Sequence, residues 1–254
     1  MPRYTRYLID LDGTLYRGKE VIEGGLYFLR ELQKRKLPFL YVTNNSSTRP
    51  EEVAGRLQSM GYPAEPVQVI TSSMAMAHYL RKQEMNRVYV IGEAGLVSAL
   101  QNEGIQMTET EPDAVVVGID RQFTYDKMKR ACLAIRSGAH FYGTNSDRFL
   151  PTEEGMVPGN GSLCCAISAA TGVEPVWIGK PEAPIMDFAL ERIGGSREET
   201  LIVGDNLNTD ILAGQKAGVD SLLVFSGVTH PQDYKEAAIH ATYTVNDLRE
   251  WTFV

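Results

Sequence analysis

Two aspartates separated by one residue, in Asp10-Leu11-Asp12-Gly13-Thr14, directly follow the apolar run Tyr7-Leu8-Ile9. On an extended segment the period of two puts both carboxylates on one side and turns Leu11 away. Close carboxylates repel, and one of them is driven toward its protonated form unless a cation holds the pair. Two compatible uses follow: a hard cation such as magnesium can sit on one carboxylate, and the other can exchange a proton during a reaction. Gly13 permits a tight turn whose backbone N–H groups could meet an anion. A D-x-D-G segment can equally be a turn in which the Asp side chains cap the backbone, so the pair alone does not choose between chemistry and structure.

Three further clusters offer polar groups. Val42-Thr43-Asn44-Asn45-Ser46-Ser47 ends an apolar run in hydroxyl and amide donors that suit phosphate oxygens, although turn and cap chemistry explains many such clusters. Gly179-Lys180-Pro181 places a lysine before a helical pattern at Ile185, Phe188 and Ala189, where it could act as a point charge on a phosphate or simply be solvated. Gly204-Asp205-Asn206-Leu207-Asn208-Thr209-Asp210 offers oxygen ligands for a hard cation without the spacing of a calcium-binding EF-hand loop, and Asp210 could instead cap the helix that continues through Ile211 and Ala213.

The elements that must position these groups are short apolar runs alternating with helical patterns. Tyr7–Ile9, Phe39–Val42, Val88–Ile91, Ala114–Val117, Leu201–Val203 and Leu222–Phe225 predict strands of a parallel sheet buried on both faces. Leu26, Leu29 and Leu32 mark one helix, and Thr48 with Glu51 predicts a capping box opening another that carries Val53 and Leu57. This alternation predicts the α/β class. Ligands of open parallel sheets bind beyond the carboxyl ends of strands, so the loops after the first, second and fifth of these runs can meet in one crevice. From about Met76 to Ile178 a further strand-and-helix series is long enough for an inserted domain, and Pro151 to Gly161, rich in Pro, Gly and charge, predicts a long loop.

The order Asp10-x-Asp12-Gly13-Thr14, Thr43-Asn44, Lys180, then Gly204-Asp205 with Asp210 resembles the four motifs of the haloacid dehalogenase (HAD) superfamily. Val117-Gly118-Ile119-Asp120, Gly143-Thr144-Asn145-Ser146-Asp147 and Pro158-Gly159-Asn160-Gly161-Ser162 extend the likeness to subclass IIA, the NagD-like and p-nitrophenylphosphatase-like phosphatases, over nearly the whole chain. The resemblance implies a Rossmann-like parallel-sheet HAD core, residues 1–77 and 179–254, with a large inserted α/β cap domain at 78–178. It implies a magnesium-dependent phosphatase for small phosphomonoesters, such as nucleoside monophosphates, sugar phosphates or aryl phosphates, working through an aspartyl phosphate. Asp10 would then be the nucleophile and Asp12 the acid and base. Thr43, Asn44 and Lys180 would contact phosphate. Magnesium would be held by the Asp10 carboxylate, the Asp12 backbone carbonyl and the Asp205 carboxylate, with Asp210 outside the direct ligands. The inserted segment would form a lid and choose the substrate; Asn145, Asp147, Arg148 and the 158–162 loop are candidate contacts, although Asp147 and Arg148 can equally form an exposed surface turn without a function. Asn45 and Asn206 receive no role.

A competing reading is a phospho-accepting signalling module like a receiver domain, which also combines a strand-end aspartate, acidic ligands, a Thr and a Lys. Asp12, a built-in base, and the large insertion argue against it. Asp12 likewise argues against family members that work on carbon–halogen bonds, which lack that residue. The formal net charge of −7 without a basic run disfavours a nucleic-acid or anionic-membrane partner, and no apolar run reaches membrane-spanning length, so a cytoplasmic enzyme is expected, with a homo-oligomer left open. Cys132, Cys164 and Cys165 have neither disulfide nor zinc spacing and predict buried reduced thiols.

Overall fold

The computed structural model describes residues 4–253. The chain begins with β1 (Arg6–Ile9), the two-residue strands β2 (Tyr16–Arg17) and β3 (Glu20–Val21), then β4 (Phe39–Thr43) and β5 (Val69–Thr71). Next come β6 (Arg87–Ile91), β7 (Gln106–Met107), β8 (Ala114–Val117), β9 (His140–Gly143), β10 (Phe149–Thr152), β11 (Gly155–Pro158) and β12 (Val176–Trp177). β13 (Thr200–Gly204), β14 (Asp220–Val224) and β15 (Tyr243–Val245) follow. Each apolar run predicted to be a strand is one, and β4, β8 and β13 are buried along their whole length, as strands covered on both faces must be.

The chain divides into two compact units. The first contains the residues up to Thr43, Pro50–Ile70 and those from Lys180 onward. Its six-stranded sheet has the order β15-β14-β13-β1-β4-β5, and the pairings from β15 through β4 are parallel. Parallel neighbours need crossovers, which the helices Glu23–Arg35 and Ala183–Ile193 help to supply. The first helix buries Phe28, Leu29 and Leu32, spaced to form one face, and ends at Lys36 in the left-handed region (φ 57°) with Lys34 and Arg35 in its last turn, where cations suit the helix dipole. Its Phe28 meets Tyr7 of β1 edge to face at 5.7 Å within a core that includes Ile9, Tyr41, Leu57, Val203 and Leu222. The helix carrying Val53 and Leu57 starts at Pro50, later than a cap at Thr48 predicts, because proline is preorganised for the first helical position.

The second unit contains Asn44–Arg49 and Thr71–Gly179. Its five-stranded sheet, β12-β9-β8-β6-β7, is parallel and has its own core of Tyr89, Ile91, Val115, Val117, Phe141, Cys164 and Ile167. The predicted loop from Pro151 to Gly161 is instead mostly the antiparallel hairpin β10–β11, followed by the helix Asn160–Thr171. A two-stranded ribbon has a free edge on each strand, so Pro151 and Pro158 need donate no ladder bond. Gly155 closes the turn at φ 118°, and the Thr152 hydroxyl donates to its carbonyl at 2.8 Å. All three cysteines are free; Cys164 is buried and Cys132 half-buried, but Cys165 is exposed, contrary to the buried-thiol expectation. Among the described residues no helix is long and apolar enough to cross a membrane.

Candidate active site

Strand register brings the polar loops of the first unit together. Ile9 pairs with Val203 on one side and Tyr41 on the other, so Asp10, Asp205 and Thr43 leave three adjacent strands at nearly the same level. The Asp10 amide donates to the Val203 carbonyl at 2.9 Å, which extends the β1–β13 ladder up to the site. Beyond Asp10 the chain turns sharply, with the Leu15 amide donating to the Leu11 carbonyl at 2.8 Å and the Gly13 amide to the Tyr16 carbonyl at 2.8 Å. Gly13 is required twice over: its φ is +87°, and a Cβ there would strike the Asp205 carboxylate.

A charge cluster occupies the strand ends. The Lys180 ammonium donates to Asp10 Oδ1 at 2.6 Å and to Asp210 Oδ1 at 2.7 Å, with Lys180 only 2% exposed. Carboxylate oxygens of Asp10, Asp205 and Asp210 all lie within 4.8 Å of one another. The Thr14 hydroxyl stands 3.3 Å from both Asp10 Oδ2 and Asp205 Oδ1, and its single proton can serve only one of them at a time. Burial, then repulsion from Asp210, raise the Asp10 pKa well above the carboxylate range despite Lys180. Burial and the same repulsion push Asp205 up to about 7. Burial alone would depress the Lys180 pKa, but Asp10 and Asp210 outweigh it and hold the ammonium charged. Three carboxylates against one ammonium leave an excess of negative charge on hard oxygen donors, which fits a divalent cation.

The predicted residues are distributed as follows. Asp10, Thr43, Lys180 and Asp205 are buried or nearly so at the strand ends of the first unit, while Asp12 turns its side chain to solvent. Asp210 belongs to the carboxylate cluster; its second oxygen accepts the Asn206 amide at 3.1 Å, closing the turn that opens at Gly204. Asn44 falls in the second unit, where its carbonyl accepts from the Ser72 hydroxyl at 2.7 Å and from Asn145 Nδ2 at 2.9 Å, and its own Nδ2 donates to Asp147 at 3.3 Å. Asn145 is buried and also caps the Asp147 amide at 3.2 Å, while the Arg148 side chain is exposed. Asn45 and Asn206 accept amides two residues on, at 2.9 Å each, as turn-forming side chains do.

Sequence reasoning missed the loop after β14. The Val228 amide donates to Asp205 Oδ2 at 2.5 Å, the Thr229 amide to the Asp205 carbonyl at 3.2 Å, and the Ser226 hydroxyl to the Gly13 carbonyl at 2.7 Å. A Cβ on Gly227 would collide with the Asp205 carboxylate, and one on Gly204 with that of Asp210. Ser226-Gly227-Val228-Thr229 does follow an apolar run, as the other site loops do, but contains no charged residue to attract notice.

Residues 7–106 match the family described as haloacid dehalogenase-like hydrolase, and 177–251 match a second HAD-hydrolase-like family. The chain is 48% identical over 252 residues to the 5'-nucleotidase YutF of Bacillus subtilis, covering 99% of this chain and 98% of that protein. A double mutant of a thermostable NPPase from Geobacillus stearothermophilus superposes with a TM-score of 0.94 at 46% identity over the full length of both chains. NagD from E. coli K-12 superposes with a TM-score of 0.93 at 34% identity, over 99% of this chain and all of that one. This protein therefore belongs to the haloacid dehalogenase-like hydrolases and, within them, to the NagD-like subclass.

Proposed function

We propose that the protein is a magnesium-dependent phosphatase of small phosphomonoesters, nucleoside monophosphates, sugar phosphates or aryl phosphates, and that Asp10 is its nucleophile. The observation that carries this reading is the buried cluster in which Lys180 bridges Asp10 and Asp210 beside Asp205, at the carboxyl end of β1. The relatives named as a nucleotidase and an NPPase support the same substrate class.

In this reading a carboxylate oxygen of Asp10 attacks phosphorus and the bond from phosphorus to the leaving oxygen breaks. Asp12 gives its proton to that oxygen. Burial raises the Asp12 pKa against the pull of Arg56 and the Tyr16 hydroxyl, the direction that suits an acid. Asp12 then takes a proton from water, the water oxygen bonds to phosphorus, and the bond to Asp10 breaks to restore the free carboxylate. Lys180 and the strand-end donors Thr43 and Asn44 would bind the phosphoryl oxygens. The Asp10 and Asp205 carboxylates and the Asp12 backbone carbonyl would hold magnesium, which when bound neutralises charge on the transferring group. Residues 1–77 and 179–254 would form the catalytic core and 78–178 the cap that selects the substrate, in a cytoplasmic enzyme.

Phosphate release from a panel of nucleoside, sugar and aryl monophosphates, with magnesium and after chelation, tests the assignment. Magnesium-dependent turnover of at least one class is expected, abolished in Asp10→Asn. Turnover that persists after chelation or in Asp10→Asn would contradict it.

A further inference from the structure

Asp12 is exposed, yet one of its oxygens is not left to solvent. β2 and β3 form a short hairpin immediately after the Asp10–Thr14 turn, with Tyr16 opposite Val21 and Arg17 opposite Glu20. Tyr16 is 3% exposed, and its hydroxyl reaches back to donate to Asp12 Oδ2 at 3.3 Å. The guanidinium carbon of Arg56 lies 4.5 Å from the centre of the Tyr16 ring, and its Nη2 donates to the Gly18 carbonyl in the hairpin turn at 2.8 Å. A cation over an aromatic face is attracted to the ring and draws electron density from it, which strengthens the hydroxyl as a donor. Arg17 ties the same hairpin to the loop that holds Asp205, through Nε to the Ser226 carbonyl at 2.6 Å.

Packing explains the buried ring but not the aim of its hydroxyl. An exposed carboxylate can satisfy itself with water, and a core tyrosine facing an apolar wall would be a phenylalanine at no cost to packing. The hairpin instead carries a fixed donor to one oxygen of the group that must meet two different reacting oxygens in turn. We propose that Tyr16, backed by Arg56, is the positioning residue for Asp12: its hydroxyl holds Oδ2 so that Oδ1 is presented for proton exchange. This rests on the reading of Asp12 as acid and base.

The full chain with magnesium tests it on two substrates, p-nitrophenyl phosphate, whose leaving group needs little protonation, and a glycerol phosphate, whose alkoxide needs it. Tyr16→Phe keeps the ring and the arginine above it, so folding is preserved. Because positioned proton transfer contributes about 10²–10⁴-fold, losing its alignment is expected to lower kcat/KM for the glycerol phosphate by roughly ten-fold and for p-nitrophenyl phosphate by less than about three-fold. Arg56→Gln should show the same selectivity, and adding Tyr16→Phe to Asp12→Asn should cost nothing further, since the two act as one unit. Equal losses on both substrates in Tyr16→Phe, with a selective loss in Asp12→Asn, would overturn the positioning role alone. Equal losses in Asp12→Asn would overturn the acid–base reading and the positioning role with it. Multiplying losses in the double variant would also overturn the positioning role.

Discussion

At the scale of single residues the centre is a set of charges that the fold does not balance by itself. Asp205 is the clearest case, because burial and the nearby Asp210 push its pKa up to about 7, whereas the unfolded chain titrates near the ordinary carboxylate value of about 3.9. Between those values the folded protein binds more protons than the unfolded one, so the unfolding free energy must fall as pH rises. The contribution is fully present below about pH 4 and is lost as pH passes through about 7. Thermal denaturation of metal-free protein should therefore give a Tm that drops across this window, and, on the proposal that the ionised carboxylates of the folded state hold magnesium, saturating magnesium should restore it at the alkaline end. A Tm that is flat or rises over the same range without metal would count against the charge arrangement. The sequence made Asp10, Asp12, Lys180 and Asp205 legible because each is a polar residue at the end of an apolar run or the entry to a helix. The closeness of Asp210 to Lys180 was not legible, since it depends on a tight turn in which Asp210 folds back onto the Asn206 amide, and a helix cap was an equally good reading of that residue.

At the scale of elements the site is built by neighbouring strand ends and the loops they carry. β1 and its neighbours β13 and β4 were readable as continuous apolar runs because they are buried on both faces, and their parallel register sets Asp10, Asp205 and Thr43 side by side. The loop after β14 was not readable, because its contribution comes from backbone amides and from the absence of a side chain at Gly227. That dependence is testable. A methyl group at Gly227 would have to displace the Asp205 carboxylate, so Gly227→Ala is expected to weaken magnesium affinity, measured by titration calorimetry, by on the order of ten-fold, the lower end of the range for disturbing a ligand's support. Gly55→Ala is the control: it lies in the helix Pro50–Ser59 with nothing within 4 Å of the added Cβ, and should leave affinity unchanged while stabilising the helix by about 1 kcal/mol. Equal magnesium affinity in the two variants would show that the loop does not support Asp205. The β10–β11 hairpin escaped sequence reading for a different reason, since its prolines argue against a central strand and say little about a two-stranded ribbon.

At the scale of the whole molecule, the alternation of strand and helix patterns predicts the α/β class but assigns six apolar runs to one parallel sheet, whereas the chain has two parallel sheets, each with its own core, and Val88–Ile91 and Ala114–Val117 lie in the second. What composition could not supply was their division, because the stretch Asn44–Arg49 groups with the second unit although it directly continues β4 of the first. A contact pattern of that kind depends on tertiary packing, and no local periodicity records it. Full-length likeness to YutF and to the NPPase places the entire chain, with both assemblies, within one hydrolase family. The central claim, that this enzyme transfers a phosphoryl group to Asp10, is tested most directly by trapping the transfer. Asp12→Asn protein, mixed with magnesium and p-nitrophenyl phosphate, quenched in acid and mapped by peptide mass spectrometry, should carry one phosphoryl group on Asp10. A phosphoryl group on another residue, or phosphate release with no phosphorylated peptide at any time during turnover, would contradict the account.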